Sequence, residues 1–367
     1  MIKLKESESA LFEIVKAILW DRPLDYGCIN IYSDTLKLAA KQGLLAFCGT
    51  ILDKADTEQV QKLSVPQETK LIWLGNITTL EQRYAQQLMM CAALAKHFKS
   101  NNIKMMVLKG IGLSKLYPQP SRRECGDIDF YLFGEFEKGN ALIKKLIEQN
   151  YAEFVYENAK HYVFNSQGVN FEHHKFFLNE ARYKVDKILA KYLTEIMNKT
   201  EAETLLIKDN TEIFTPPPTF NAIYLARHMI AHLVREFRVR YLTDWCLFLK
   251  HYDGRYDKAT LLKAFDEAGL STLLNAITNI CVKHLGLAPE LNPFGKIDTD
   301  NKDLIKIEEK VMIEMLRADY QPKSNNKLIA LWQRISRYYA SRWKFKLAHG
   351  INFAGMLWGS FKVRRKV

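Results

Sequence analysis

VLKGIGLSKLYPQPSRRECGDIDFYLF covers Val107–Phe133 and sets two aspartates, Asp127 and Asp129, one isoleucine apart at the start of an apolar strand. Alternate residues of a strand point to one face, so the two carboxylates project together while Ile128 faces the opposite layer. Adjacent carboxylates repel one another unless a cation sits between them. Mg2+ takes one or two carboxylates together with phosphate oxygens and water. The pair therefore reads as a metal-nucleotide site or, more blandly, as a solvated turn. Upstream, MMVL runs into Lys109-Gly110 and then into IGLSKLY, about two helical turns stopped by Pro118 and Pro120. The first N–H groups of such a helix are free to hold a phosphate, and Gly110 lets it approach the backbone.

Around this stretch the pattern is that of an α+β block over residues 101–180. IKMMVL and DIDFYLF read as strands, EFEKGNALIKKLIEQN as an amphipathic helix, and HYVFNS with VNFEHHKFF as a hairpin across Gln167-Gly168. In the last strand Asn170, Glu172 and His174 share one face, with Phe171 and His173 on the other. Beside DIDFYLF, Glu172 supplies a third carboxylate, and three carboxylates can hold two divalent ions about 3.5–4 Å apart. The competing reading pairs Glu172 with Arg122, Arg123 or Lys175 on an exposed sheet face.

The flanks are helical. Leu11, Ile14, Val15, Ile18 and Leu19 recur at helical spacing, and a long helix is expected from about Glu68 to Ser100 within an N-terminal region of residues 1–100. Beyond Arg182 the helical pattern returns, interrupted by TEIFTPPPTF as a stiff extended connection, and forms a C-terminal helical domain over 181–319. His228 and His232 lie on one helix face. Without an H-E-x-x-H pattern they read as structural or substrate-contacting groups rather than zinc ligands. Arg240 and Asp244, also four apart, read most simply as a helix-surface ion pair.

At 367 residues, with 48% hydrophobic and 26% charged residues, the chain has a globular composition. No stretch approaches the ~20 apolar residues of a membrane span, and the charged MIKLKESESALFEIVKAILW is unlike a signal peptide, so a cytoplasmic location is expected. The six cysteines show no CxxC or metal spacing and are expected as free thiols, Cys125 being a small residue before the strand rather than a redox group. Eleven positive charges of the formal +12 fall in residues 320–367, which contain no Asp or Glu. There Leu328, Leu331, Trp332, Ile335, Tyr338 and Tyr339 share one side of a helix and Lys327, Arg334, Arg337 and Lys344 another, with Trp358 and Phe361 before KVRRKV. This basic aromatic tail suits an anionic membrane, nucleic-acid phosphates, or docking on the body with its basic side solvated.

The segment from Val107 to Leu132, followed by VNFEHHKFF and LARHMIAHLVREFRVRYLTDWCLF, resembles the uncharacterised bacterial nucleotidyltransferase family, a branch of the DNA polymerase beta-like nucleotidyltransferase superfamily. The matching features are a strand ending in L-K-G, a Y-P helix end, an Arg four residues before the first Asp, G-D-I-D, a strand with E-x-H, and a helical stretch with His and a later Asp, from about residue 68 to about 250. The resemblance implies a small nucleotidyltransferase-type mixed sheet with helices. It makes Asp127, Asp129 and Glu172 the catalytic, metal-binding carboxylates for Mg2+ or Mn2+. Lys109, Gly110 and Arg123 become nucleotide-binding groups, and Asp244 is turned with His174, His228, His232 and Arg240 toward a substrate cleft. One departure stands out: Ile111 follows Gly110 where the wider superfamily has Gly or Ser, which shifts phosphate binding toward Lys109 and Gly112 or Ser114.

The function so implied is metal-dependent transfer of a nucleoside monophosphate from an NTP to an acceptor, with release of pyrophosphate. The acceptor is left open among small molecules, glycan precursors, proteins and nucleic acids. The alternatives are a catalytically silent adaptor of the same fold, binding nucleic acid or an anionic membrane through its tail, and an enzyme transferring a different phosphoryl-type group.

Overall fold

The structure, a computed structural model, describes residues 2–24, 33–54, 65–317, 326–352 and 355. The architecture is mixed α+β, with one seven-stranded sheet flanked by helices. In chain order the N-terminal helices are α1 (Glu6–Trp20), α2 (Ser33–Lys41), α3 (Leu45–Cys48), α4 (Thr50–Lys54) and α5 (Gln67–Ser100). The sheet block follows as β1 (Met106–Val107), α6 (Ile111–Ser114), β2 (Ile128–Tyr131), α7 (Phe136–Glu148), β3 (Glu153–Glu157), β4 (His161–Ser166) and β5 (Val169–His174). Then come α8 (Lys184–Lys199), β6 (Glu203–Ile207), β7 (Thr211–Thr215), α9 (Pro218–His232), α10 (Val239–His251), α11 (Lys258–Glu267) and α12 (Ser271–Leu285). The described chain ends in α13 (Lys302–Arg317), α14 (Lys327–Ala340) and α15 (Arg342–His349).

The strand order is β3-β4-β5-β2-β1-β7-β6, with β2 parallel to β5 and antiparallel to β1, and β1 parallel to β7. The hairpin across Gln167 and Gly168 forms as expected, both residues at positive φ, the geometry a two-residue connection needs. Three features depart from the sequence expectation. The α+β block extends beyond residue 180, because Thr204-Leu205-Leu206-Ile207 and Thr211–Thr215 pair as a hairpin at the sheet edge. Glu153–Glu157, read as no strand, supplies the opposite edge. The edge strands β3 and β6 keep apolar residues partly exposed, Phe154, Val155, Tyr156 and Leu206 among them, so neither carries the hydrophobic contrast of an inner strand. The IGLSKLY helix is also a single turn rather than two.

Strand alternation divides the protein into two cores. Val107, Ile128, Phe130, Phe164 and Phe171 face α5 and α7 through Leu94, Phe98, Phe136 and Ile143. Met106 and Leu108, one residue out of phase with Val107, belong to a larger core built with α1, α9, α10 and α12. The long helix α5 joins the two, burying Trp73 and Ile77 in the larger core and Cys91, Leu94 and Phe98 in the other. The described cysteines are free and buried; Cys28 lies outside the described residues.

The tail divides in two. Its second helix, α15, is docked: Lys344 is buried against Glu314 at 2.7 Å, and His349 stacks on Tyr183 with ring centroids 3.9 Å apart. Arg227 of α9 donates to the Ala348 carbonyl at 3.1 Å and meets His349 Nδ1 at 2.8 Å. On α14, by contrast, Ile329, Trp332, Ile335 and Tyr339 are exposed. Lys323, Trp358, Phe361 and the closing KVRRKV lie outside the described residues. No helix among the described residues is long and apolar enough to cross a membrane.

Candidate active site

The parallel pairing of β2 with β5 puts Asp129 opposite Glu172, and Asp127 precedes Asp129 by the two residues that return a strand to the same face. Ligand oxygens of Asp127, Asp129 and Glu172 all lie within 4.8 Å of one another. Glu172 is therefore not an exposed-face ion pair. Arg122 binds Asp53 and Glu81, Arg123 binds Asp244, and Lys175 binds Glu137.

Asp129 is the fixed member, 1% exposed. Its Oδ1 meets Lys109 Nζ at 3.0 Å and His174 Nε2 at 2.9 Å, while Oδ2 is buried with no hydrogen-bond partner. Burial alone would raise its pKa, but the Lys109 charge and the His174 bond hold the carboxyl well below the usual range. Asp127 goes the other way, raised to about 6 by the charge of Asp129 first and by burial second. Two carboxylates this close, one of them ionised at the other's expense, form a site that a divalent cation relieves.

The turn before α6 is built around Gly110, at φ 58° and ψ −113°, where an added Cβ would lie 3.3 Å from the Asp127 carbonyl oxygen. The turn and the aspartate loop are thus in backbone contact. Lys109 reaches the carboxylates, and although burial would lower its pKa, Asp129 and Asp127 raise it, so its ammonium is held charged at the site. Ser114 is turned inward, donating to the Ile111 carbonyl at 2.7 Å and sharing a 2.8 Å hydrogen bond with Tyr84. Gly112 is packed against Val107 and Thr215, where a Cβ would meet the Val107 carbonyl at 3.1 Å. Lys109 is the group of this turn that faces the carboxylates.

Arg123 is committed elsewhere. Its guanidinium makes two 2.9 Å hydrogen bonds to Asp244, which also accepts from the Tyr117 hydroxyl at 2.8 Å. This corrects the expected Arg240–Asp244 pair: Arg240 donates to the Glu124 carbonyl and stacks on Tyr241. The i, i+4 spacing permits a helix-surface pair, but Asp244 is buried, where the planar fork of Arg123 satisfies both carboxylate oxygens. His228 and His232 pack edge to face at 4.5 Å, and His232 Nδ1 meets the Tyr241 hydroxyl at 3.0 Å. Burial first and Lys109 second push both imidazoles down, His232 to about 3. Neither belongs to a metal-capable cluster among the described residues.

Sequence reasoning missed His161 on the neighbouring strand, Lys160 in the turn before it and Tyr224 on α9. His161 Nδ1 lies 3.7 Å from Glu172 Oε2, and its register partner across β4–β5 is His174. The HYVFNS period puts His161, Val163 and Asn165 on one face, and pairing them against VNFEHH would have brought His161 forward. Lys160 is lowered by burial and by Lys109 while Asp129 and Glu172 draw it up. Tyr224 is raised by burial first and by the charge of Asp129 second.

The donor set fits a hard divalent cation. Three carboxylates converge, one of their oxygens is buried and unpartnered, and Asp129 and Glu172 are held ionised.

The family model described as uncharacterised nucleotidyltransferase matches residues 32–286. Among solved structures, the chain is similar to a crystal structure of an antigenic nucleotidyltransferase-like protein from Paracoccidioides brasiliensis. The two are 16% identical with a TM-score of 0.35, over 58% of this chain and 95% of that one. No curated protein sequence matches the chain.

Proposed function

Because the chain belongs to the uncharacterised nucleotidyltransferase family, we propose that it transfers a nucleoside monophosphate from an NTP to an acceptor, using Asp127, Asp129 and Glu172 to hold Mg2+ or Mn2+. The observation that carries this reading is the register of Asp129 with Glu172, which brings three carboxylates together, one of them with a buried oxygen that has no hydrogen-bond partner. Bound there, a divalent cation neutralises charge on the phosphates and lowers the pKa of an acceptor hydroxyl.

The chain's own residues do the rest. Lys109, whose ammonium lies 3.0 Å from Asp129 Oδ1, brings positive charge to the site and suits the triphosphate. His174 and Lys109 fix the Asp129 carboxylate, so its position is set before substrate arrives. Asp127, less buried than Asp129, is the carboxylate open to take the acceptor proton. The acceptor oxygen forms a bond to the α-phosphorus, the bond from that phosphorus to the bridging oxygen breaks, and pyrophosphate leaves with the electron pair.

The test is transfer of label from α-phosphate-labelled nucleoside triphosphates to components of a cell extract by the purified protein with Mg2+. The expected result is labelled acceptor with equimolar pyrophosphate in wild type and none with Asp127→Ala. In a parallel assay with γ-phosphate-labelled triphosphates, label transferred there but not from the α-phosphate would assign a phosphoryl transfer instead, and equal labelling by Asp127→Ala would reject the site.

A further inference from the structure

Glu172 has two sets of neighbours. On one side stand Asp127 and Asp129; on the other stand His161 and His174, whose ligand nitrogens lie with a Glu172 oxygen within 4.8 Å of one another. His161 Nδ1 and His174 Nε2 are each 3.7 Å from Glu172 Oε2. Around a zinc-sized ion with ligand distances of ~2.0–2.1 Å, tetrahedral ligand atoms lie ~3.3 Å apart, so these two edges are within a small side-chain adjustment of a coordination shell.

The hydrogen bonds at the far side of each ring point the same way. His161 Nε2 meets the Tyr156 hydroxyl at 3.2 Å, and His161 Nδ1 is buried with no hydrogen-bond partner. When Nε2–H donates to Tyr156, the Nδ1 lone pair is directed at Glu172. His174 stands between two acceptors, the Phe176 carbonyl 3.3 Å from Nδ1 and Asp129 Oδ1 2.9 Å from Nε2. In the metal-free protein Nε2–H donates to Asp129 Oδ1, and His174 can turn this nitrogen to a cation by carrying its proton on Nδ1 instead, where the Phe176 carbonyl accepts it. A ring N–H that donates to a carbonyl or hydroxyl while the other nitrogen is left for the metal is the outer-shell arrangement of histidine metal ligands.

We propose that His161, His174 and Glu172 form a second cation site, selective for a first-row transition-metal dication over Mg2+, and that Glu172 bridges it to the aspartate site. Imidazole nitrogens favour such ions, whereas Mg2+ prefers an all-oxygen shell. The inference rests on the proposed function only through Glu172, which both sites share. It assigns a role to His161, which the proposed transfer does not use, and a second one to His174.

The experiment is titration of the metal-free, full-length protein with Co2+, read by its visible ligand-field absorption in excess Mg2+. Wild type should bind one equivalent with intense bands. His161→Ala and the more conservative His161→Asn, each checked by circular dichroism, should weaken binding at least tenfold, while Asp127→Asn should keep the bands. Absence of bands in wild type, or bands unchanged in both His161 variants, would overturn the proposal. The labelling assay reports separately, since Asp127→Asn should lose nucleotide transfer and retain cobalt.

Discussion

Arg123 and Asp244 face each other through paired 2.9 Å hydrogen bonds, Nε to Oδ1 and Nη2 to Oδ2, and so tie the loop leading into the aspartate strand to helix α10. With Tyr117 on the same carboxylate, the loop that delivers Asp127 is anchored by a buried polar cluster.

That anchoring makes Arg123 a structural residue by expectation. Removing one partner of a buried pair costs ~3–5 kcal/mol, so Asp244→Ala should lower the urea midpoint accordingly. Arg123→Lys should be destabilised too, because an ammonium cannot form the two-pronged contact. A normal midpoint with a raised nucleotide KM in Arg123→Lys would place the guanidinium on substrate instead.

Asp127 and Asp129 should respond differently to the same chemical change. Asp129→Asn leaves Lys109 and His174 facing a neutral amide and should cost ~1–3 kcal/mol of stability. Asp127→Asn removes a repulsion and should leave the metal-free protein as stable as wild type or more so. Both should reduce nucleotide transfer by ~10²–10³-fold or more. Equal stability of the two variants in thermal melts would contradict the asymmetry.

Gly110→Ala tests the backbone contact between the turn and the aspartate loop. At φ 58° and ψ −113° an alanine is strained, and its Cβ would press on the Asp127 carbonyl at 3.3 Å. The expected loss is ~1–3 kcal/mol in chemical denaturation, with weaker divalent-ion binding. Unchanged binding would show that the turn does not position Asp127.

The docking of α15 should be sensitive to acid. Burial first and Arg227 second lower His349 to about 3, with Arg182 and Arg235 adding in the same direction. The folded state keeps this imidazole neutral, whereas the unfolded chain takes up a proton below about pH 6.5, so stability falls as pH drops from about 6.5 toward about 3. At pH 5 the loss from this group is about 2 kcal/mol. His349→Gln should flatten the difference between unfolding at pH 7.5 and pH 5; an unchanged slope would contradict the assignment.

The inner part of this fold was legible because inner strands carry strong patterns. Ile128, Phe130 and Phe171 alternate with Asp129 and Glu172, and the hairpin turn has the glycine its φ demands. The edges were not. Phe154, Tyr156 and Leu206 are apolar yet exposed, so β3 and β6 show no buried face, and TEIFT was overshadowed by the prolines after it. At the site, the pairing of two carboxylates from different strands was readable from period and residue type. The partners of Arg123, Asp244 and Ser114 were not, since each bonds to a residue 30 or more positions away. Spacing along one helix gave the local Arg240–Asp244 pair, and tertiary contacts chose otherwise.

The central claim is that Asp127, Asp129 and Glu172 together capture a divalent cation with a triphosphate. Calorimetric titration of the Mg2+ complexes of nonhydrolysable nucleoside triphosphates into the full-length protein tests it most directly. The account predicts Mg2+-dependent binding of at least one nucleotide in wild type, lost in Asp127→Asn and retained in His161→Ala. Binding of equal strength without Mg2+, or undiminished in Asp127→Asn, would contradict it.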